Sequence, residues 1–472
     1  MKGTLLALLL FLSLPTQAVD SEHLAAVVAA SGLPADSFTL MVVSHHGEQP
    51  QTVLDLNAHN PLIPASVTKL VTAAAVLRHI PLGTRFETRL LSAAPVQGSA
   101  LAGDLVMEGR GDPSLVSETL WLLANDLAST GIRVIEGDIL VDDSYFDDNY
   151  LDASRDTRRS DHAYDAPVSA LSFNWNAVAL TVSPGSAPGT PAQVQVEPDS
   201  SYMRVRNNAT TVAGRGMDKL VVSRRPNGGG EGDTLVVSGE IGVAARPFEG
   251  YRNITDPARW SGENLKLYLA YRGIEAKGEV RRGRPPAGSR LLALVEGRPI
   301  QQLVVDMNKV SSNFIAEMLT KQLAARQSPD VPATLATGTT VLEDYMAGLD
   351  IDRHEFALKN PSGLTRMNRL SAAALVAMLD DMAGDFRIAS EFLASLPIAG
   401  IDGTLEERMA DTPARGWLRA KTGYIDGVVS LAGYAGTASG ERYTFAFIYN
   451  GPAPASRVRA LFDKLGTLLV AP

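Results

Sequence analysis

The chain of 472 residues contains no cysteine. That excludes disulfides and a lipid anchor on an N-terminal cysteine, so a chain exported from the cell would owe its stability to its core. Long basic runs are also missing and the formal net charge is −9, which disfavours nucleic acid as a partner. No repeat of fixed period is visible. His45 and His46 stand together without further ligand types at metal-binding spacing, which favours a turn-flanking role. Neither a metal nor another cofactor is expected.

Long apolar runs are confined to the start. Met1-Lys2 precedes an almost wholly apolar stretch over residues 5–14, followed by Pro15-Thr16-Gln17-Ala18. A basic start, a short apolar run and a small residue before a cut predict a secretory signal peptide over residues 1–18. The run is too short to span a bilayer comfortably, so the expected location is the periplasm. Near the other end, residues 457–470 are mildly amphipathic. They suit either peripheral membrane contact or a terminal helix packed on a sheet.

What is present is a large α/β chain of more than one domain. Periodicity predicts a helix over 21–30 and a hairpin of strands over 38–44 and 51–56, followed by a helix starting near Pro64. After Pro81 the texture changes to short apolar strands separated by Gly-rich turns, with strands over 85–91, 104–108 and 137–142 and one helix over 117–130. A Pro-, Gly-, Thr- and Val-rich stretch to about residue 246 predicts a small β domain. Pro226-Asn227-Gly228-Gly229-Gly230 reads as a hairpin loop, since no Gly-Lys-Ser/Thr follows as a phosphate loop requires. Helical periodicity returns over 256–271, 333–347 and 371–383, and a helix from 300 runs into Val310-Ser311-Ser312-Asn313. Three adjacent antiparallel strands are expected over 417–423, 428–435 and 442–449.

Chemistry enters with Pro64-Ala65-Ser66-Val67-Thr68-Lys69. Pro64 suits a helix start, and residues three apart share a helix face with Cβ atoms roughly 5–6 Å apart. An amine one turn from a hydroxyl can take its proton, and free N–H groups at a helix start can steady an anion. Ser-x-x-Lys alone also suits an ordinary amphipathic helix. Two further pieces follow in order: Ser311-x-Asn313 beside a helix and Lys421-Thr422-Gly423 on a strand. Together they match the S-x-x-K, S-x-N, K-T-G set of penicillin-binding proteins and serine β-lactamases. In that chemistry Ser66 attacks an amide carbonyl, and Lys69 is the base, made neutral by burial and by the charge of Lys421. Ser311 relays a proton to the leaving amine and Asn313 holds the substrate backbone. The oxyanion is met by the amides of Ser66 and of a residue on the Lys421 strand, whose edge lets a peptide dock by strand addition.

The chain further resembles the D-alanyl-D-alanine carboxypeptidase/endopeptidase family, the class C low-molecular-mass penicillin-binding proteins. Their mark is a long insert between the first two motifs, and here roughly 240 residues separate Lys69 from Ser311, far beyond ordinary loops. Gly111-Asp112-Pro113-Ser114-Leu115, Val141-Asp142-Asp143-Ser144, Ala166-Pro167-Val168-Ser169-Ala170-Leu171, Ser362-Gly363-Leu364 and the run from Leu396 to Leu405 also match. The resemblance implies a transpeptidase-like α/β/α sandwich from residues 19–83 and 291–472. It implies an inserted α+β domain from 84–184 and 247–290, with a small β domain nested at 185–246. The implied substrates are peptidoglycan stem peptides and cross-links, with β-lactam antibiotics as covalent ligands.

Thr422, Gly423, Tyr424 and Ser362 are implied substrate contacts. Asp142, with Asp143 close behind, is the candidate acid that receives the amino end of a cross-linked side chain; a plain turn at a strand end explains it equally well. Two departures concern substrate preference: Asn360-Pro361 where the family usually has Asp-Gly, and Tyr424 where it usually has Thr or Ser. A β-lactamase is the nearest rival, but Glu249-x-x-x-Asn253 precedes Ser311, the wrong order for a deacylating Glu. A catalytically dead cell-wall-binding scaffold is the other, against which the complete motif set argues.

Overall fold

The structure is a computed structural model, and it describes residues 21–155, 159–217 and 219–470. The expected signal peptide therefore lies outside the described residues. Among those described, no helix is long and apolar enough to cross a membrane.

An antiparallel sheet of five strands organises the two chain ends. Its order is Gln51–Leu56, Phe38–Ser44, Arg442–Asn450, Val428–Gly436, Leu418–Ile425. The central strand is buried on both faces and reads accordingly. Tyr443, Phe445, Phe447 and Tyr449 enter one core, while Ala446 and Ile448 enter the other. The first core is closed by the helices Ser21–Ala30 and Ala455–Leu468. Val458, Leu461, Phe462 and Leu465 are buried there, so the apolar stripe near the C-terminus faces the sheet and is not free for a membrane. The second core holds the helix Thr68–His79, buried over every residue except Arg78 and His79. A helix buried on nearly every side belongs in a core, and its alanines let its neighbours come close.

Between these halves lies a separate core of residues drawn from Leu90 to Val295. Its main sheet runs Val280–Arg282, Ile139–Asp142, Leu105–Gly109, Glu87–Ser92, Arg290–Glu296. The helices Ser117–Ser129 and Pro257–Tyr271 pack on it. Beyond it are one three-stranded sheet of Gln193–Glu197, Ala177–Ser183 and Phe248–Asn253, and another of Met203–Val212, Asp233–Gly242 and Val221–Pro226.

Two expected boundaries cut through pairings. The join at 290/291 falls inside Arg290–Glu296, which pairs antiparallel with Glu87–Ser92 and so belongs to the insert's sheet. The join at 184/185 separates Ala177–Ser183 from its antiparallel partner Gln193–Glu197. Texture marks where strands become short; it does not say which strands pair. The helix expected to run on from residue 300 also divides. Ile300–Lys309 ends, Ser311 takes a left-handed φ of 58°, and Asn313–Gln327 begins anew, with the Ser312 side chain accepting from the Ile315 amide at 3.2 Å.

Candidate active site

Ser66 lies in a single 3-10 turn, Ala65–Val67, from which the Thr68–His79 helix continues. Ala65 has a left-handed φ of 50°, and the Thr68 hydroxyl donates to its carbonyl at 2.8 Å. Gly363 backs this turn so closely that a Cβ would collide with the Ala65 carbonyl. On the other side, a Cβ on Gly423 would meet the Ser430 hydroxyl and lie 3.0 Å from the Ser66 amide nitrogen. Glycine in the Lys-Thr-Gly motif is therefore what lets the Leu418–Ile425 strand reach the nucleophile turn. Ser430 locks the approach by donating to the Pro64 carbonyl at 2.7 Å.

Lys69 is wholly buried. Its Nζ lies 2.9 Å from Ser66 Oγ, 2.7 Å from Asn313 Oδ1 and 2.6 Å from the Ser362 carbonyl. The last two groups can only accept. A neutral amine has two N–H bonds, so both are committed and its lone pair is left for the Ser66 hydroxyl proton. Burial, and next the Lys421 charge, hold the Lys69 amine well below the usual lysine range; Glu317 opposes this and Arg155 adds to it. Lys421 is buried too, and burial pushes it down to about 7. It donates to Ser311 Oγ at 2.8 Å and to the Thr422 carbonyl at 2.8 Å. The left-handed Ser311 sits where two helices part, which aims its hydroxyl at Lys421 rather than along a helix face. The three motifs thus meet in a chain of hydrogen bonds, Asn313 joining the first motif at Lys69 and Ser311 joining the third at Lys421.

The other expected residues part company. The Thr422 hydroxyl donates to Thr404 Oγ1 at 2.8 Å. Tyr424 is 52% exposed and lines the cleft, with the Arg459 guanidinium 4.8 Å over its ring. Ser362, expected as a substrate contact, is fully buried, and its hydroxyl donates to Asn360 Oδ1. It acts through its carbonyl, which holds Lys69, because the Gly363 turn faces the Ala65 backbone. Asp142 is also buried. It closes a turn by accepting from the Ser144 amide at 3.0 Å, and it lines a separate small hollow with Glu108, Arg110 and Arg284. It is not among the residues that line the cleft at Ser66.

That cleft, of about 510 Å³, has further walls from Arg155, Tyr164 and Asp165 of the insert and from Arg366. Arg155 grips Glu317 with two bonds, at 2.7 and 2.6 Å, and reaches Asp165 at 3.1 Å. Asn360 Nδ2 donates to the same Glu317 at 3.0 Å, and Asn313 Nδ2 donates to the Tyr164 carbonyl at 3.0 Å. The insert is thus tied to both groups that hold Lys69. Arg155, Tyr164, Asp165 and Glu317 belong to none of the three motifs. Of these four, Glu317 leaves a trace, as an acid interrupting the apolar run Phe314-Ile315-Ala316-Glu317-Met318-Leu319. Among the described residues no three His, Asp or Glu gather as metal ligands.

Comparison with known proteins places this geometry in a lineage. The chain is 33% identical over 421 residues to the D-alanyl-D-alanine carboxypeptidase of Actinomadura sp. (strain R39), spanning 86% of this chain and 77% of that one. It is 27% identical over 412 residues to the D-alanyl-D-alanine carboxypeptidase DacB of Haemophilus influenzae, spanning 85% and 83%. The fold is shared with the crystal structure of penicillin binding protein 4 from Haemophilus influenzae, at a TM-score of 0.78 and 24% identity, covering 95% of this chain and 100% of that one. Residues 21–468 match the D-Ala-D-Ala carboxypeptidase 3 (S13) family, and the chain belongs to that family.

Proposed function

We propose that this protein hydrolyses D-alanyl-D-alanine bonds in peptidoglycan stem peptides and cross-links through an acyl-enzyme on Ser66, and that β-lactams acylate the same serine. The observation that carries this reading is a wholly buried lysine whose Nζ lies 2.9 Å from Ser66 Oγ and whose two other partners, Asn313 Oδ1 and the Ser362 carbonyl, can only accept. Ser66 Oγ attacks the carbonyl carbon as its proton passes to Lys69 Nζ. The oxyanion is received by the Ser66 amide and by an amide of the strand that Gly423 brings alongside. Ser311, held by Lys421, passes its proton to the departing amine and is reprotonated from Lys69, which is neutral again once the C–N bond has broken. Water then attacks the ester carbon as Lys69 takes its proton, and when the bond from that carbon to Ser66 Oγ breaks, Lys69 returns the proton to Ser66.

The family membership and the names of the relatives support this substrate class. An exported, periplasmic protein fits the leader-like N-terminus, since peptidoglycan lies outside the cytoplasm. We divide the chain into a catalytic part from its two ends, an inserted part, and a small β part centred on the sheet of 203–242.

Intact-mass measurement during incubation with penicillin tests the reading. A long-lived adduct on Ser66 is expected. A transient adduct would identify a β-lactamase, and no adduct would identify a non-catalytic scaffold. Mass analysis of digested muropeptides then reads the split between carboxypeptidase and endopeptidase products.

A further inference from the structure

A second hollow adjoins the cleft. It is a groove of about 1080 Å³ between the insert and the catalytic part, and Ser311, Asn313 and Tyr164 line both spaces. Its wall is aromatic and open. Tyr164, Trp175 and Tyr251 are 56%, 47% and 61% exposed, where rings of this size usually find cover. Among the described residues neither Trp175 nor Tyr251 stacks on another ring or on a cation.

Trp175 is held out at a conformational cost. Asn174, Trp175 and Asn176 have successive left-handed φ values of 49°, 53° and 54°, a region that bulky residues avoid. The flanking asparagines enforce the turn. Asn174 accepts from the Ser117 amide at 3.1 Å and donates to the Ser117 hydroxyl at 3.1 Å. Asn176 donates to the Pro167 carbonyl and to Ser172 Oγ, both at 2.9 Å. An over-determined strained turn that presents one bare ring is a feature of ligand sites. Glu118, Glu197 and Glu296 also line the groove, and among the described residues none of them has an ion-pair partner.

We infer that this groove binds the glycan strand of peptidoglycan, with pyranose rings seated on Trp175 and Tyr251 and sugar hydroxyls donating to the carboxylates. The inference rests on the proposed substrate class, because a stem peptide that enters the cleft is covalently attached to such a strand. Flat apolar rings next to acceptor groups match a sugar, whose C–H face is apolar and whose rim carries hydroxyl donors. A stem of four to five extended residues spans roughly 13–18 Å, so the sugar must lie outside the cleft yet near it. A groove that opens off the cleft at Ser311 and Asn313 meets that requirement.

The experiment compares one cross-linked peptide dimer with and without its disaccharides, using wild type, Trp175→Ala and Tyr251→Ala. Each variant should lower kcat/KM for the glycan-bearing dimer relative to the sugar-free dimer by about tenfold. Equal losses on both dimers would make the groove a peptide site, and no loss on either would make it idle; both results overturn the inference. A second readout does not depend on Ser66. A peptide-free N-acetylglucosamine hexamer should bind saturably to wild type by titration calorimetry and at least tenfold more weakly to Trp175→Ala. Absence of hexamer binding in a protein that still forms the penicillin adduct would reject the glycan site alone, whereas loss of the adduct in wild type would reject the peptidase reading.

Discussion

The floor and the wall of the cleft are built on opposite plans. On the floor, Lys69 and Lys421 are fully buried and every polar contact they make is 2.6–2.9 Å long. On the wall supplied by the insert, Tyr164 and Trp175 are about half exposed. The difference follows from the task of each. An amine is kept neutral near neutral pH by excluding water, and a second cation nearby acts in the same direction. A polymer side chain needs an open approach. The floor also depends on the wall through a buried ion pair, Arg155 to Glu317, and experiments can probe each plan and this connection between them.

The largest effect is expected at the floor. Ser66→Ala should remove both the penicillin adduct in intact-mass spectra and hydrolysis of peptides, to below detection. An adduct of normal yield on that variant would move the nucleophile elsewhere. Lys69→Ala should follow closely. Removing a general base costs on the order of 10²–10⁴ in rate, measured as the second-order rate constant of penicillin acylation. A loss below about tenfold would mean that another group takes the proton, with Lys421 the first to examine.

The connection comes next. Arg155 and Glu317 are buried as a bidentate pair, so Arg155→Met leaves an uncompensated carboxylate between Asn360 and Ser362. Breaking such a pair typically costs about 3–5 kcal/mol, whereas replacing both partners by neutral groups costs far less. Urea unfolding should therefore find Arg155→Met less stable than the double variant with Glu317→Gln. If the double variant is the weaker of the two, the pair is a net source of stability and not merely a connection.

Floor and wall also differ in how far the sequence discloses them. Each floor motif is local. Ser66 and Lys69 are one turn apart, Ser311 and Asn313 flank one helix start, and Lys421 to Gly423 is one strand, so residue order alone reports them. The hairpin of Phe38–Ser44 and Gln51–Leu56 and the helix Ser21–Ala30 are legible for the same reason, short-range periodicity. Arg155 meets Glu317 across 162 positions, and no pattern announces that contact. Nor does composition show that Arg290–Glu296 turns back to pair with Glu87–Ser92. Ser362 meets the site through its carbonyl while its hydroxyl turns to Asn360, because neighbourhood in sequence to a functional turn does not say whether the side chain or the backbone carbonyl faces the site.

A smaller effect should report the electrostatics of the floor. Lys421 lowers the Lys69 pKa through its charge, so Lys421→Ala should raise it, and water entering the vacated space acts in the same direction. The acid limb of the acylation pH profile should therefore move to higher pH, in addition to any fall in the plateau. A downward move would contradict the assignment of Lys69 as the base. Stability has its own sign. Lys421 titrates near 7 when folded and near the usual lysine value when unfolded. The unfolded chain thus binds more protons between those values, and this group's contribution to stability rises with pH across that window and is lost as pH falls through about 7.

The smallest expected effect sits where floor meets opening, at Tyr424. The family resemblance implies, after Lys-Thr-Gly, a Thr or Ser whose short hydroxyl helps to hold the terminal carboxylate of D-alanyl-D-alanine. Here a rigid ring stands at that position, half exposed and covered on one face by Arg459. Its hydroxyl cannot serve at the same short reach. A free carboxylate in the cleft therefore loses one hydrogen bond, while an internal cross-link, which brings no free carboxylate to that spot, loses less. Hydrogen bonds to charged groups are worth roughly 1.5–3 kcal/mol when dry, but solvent at an open rim returns most of that through water and screening. Tyr424→Thr should accordingly raise the ratio of carboxypeptidase to endopeptidase rates about threefold, read on a pentapeptide and on a cross-linked dimer in parallel. An unchanged ratio would leave Tyr424 as a packing partner of Arg459, and would place the choice between the two substrates on the wall instead, where the rings of Trp175 and Tyr251 offer the next residues to change.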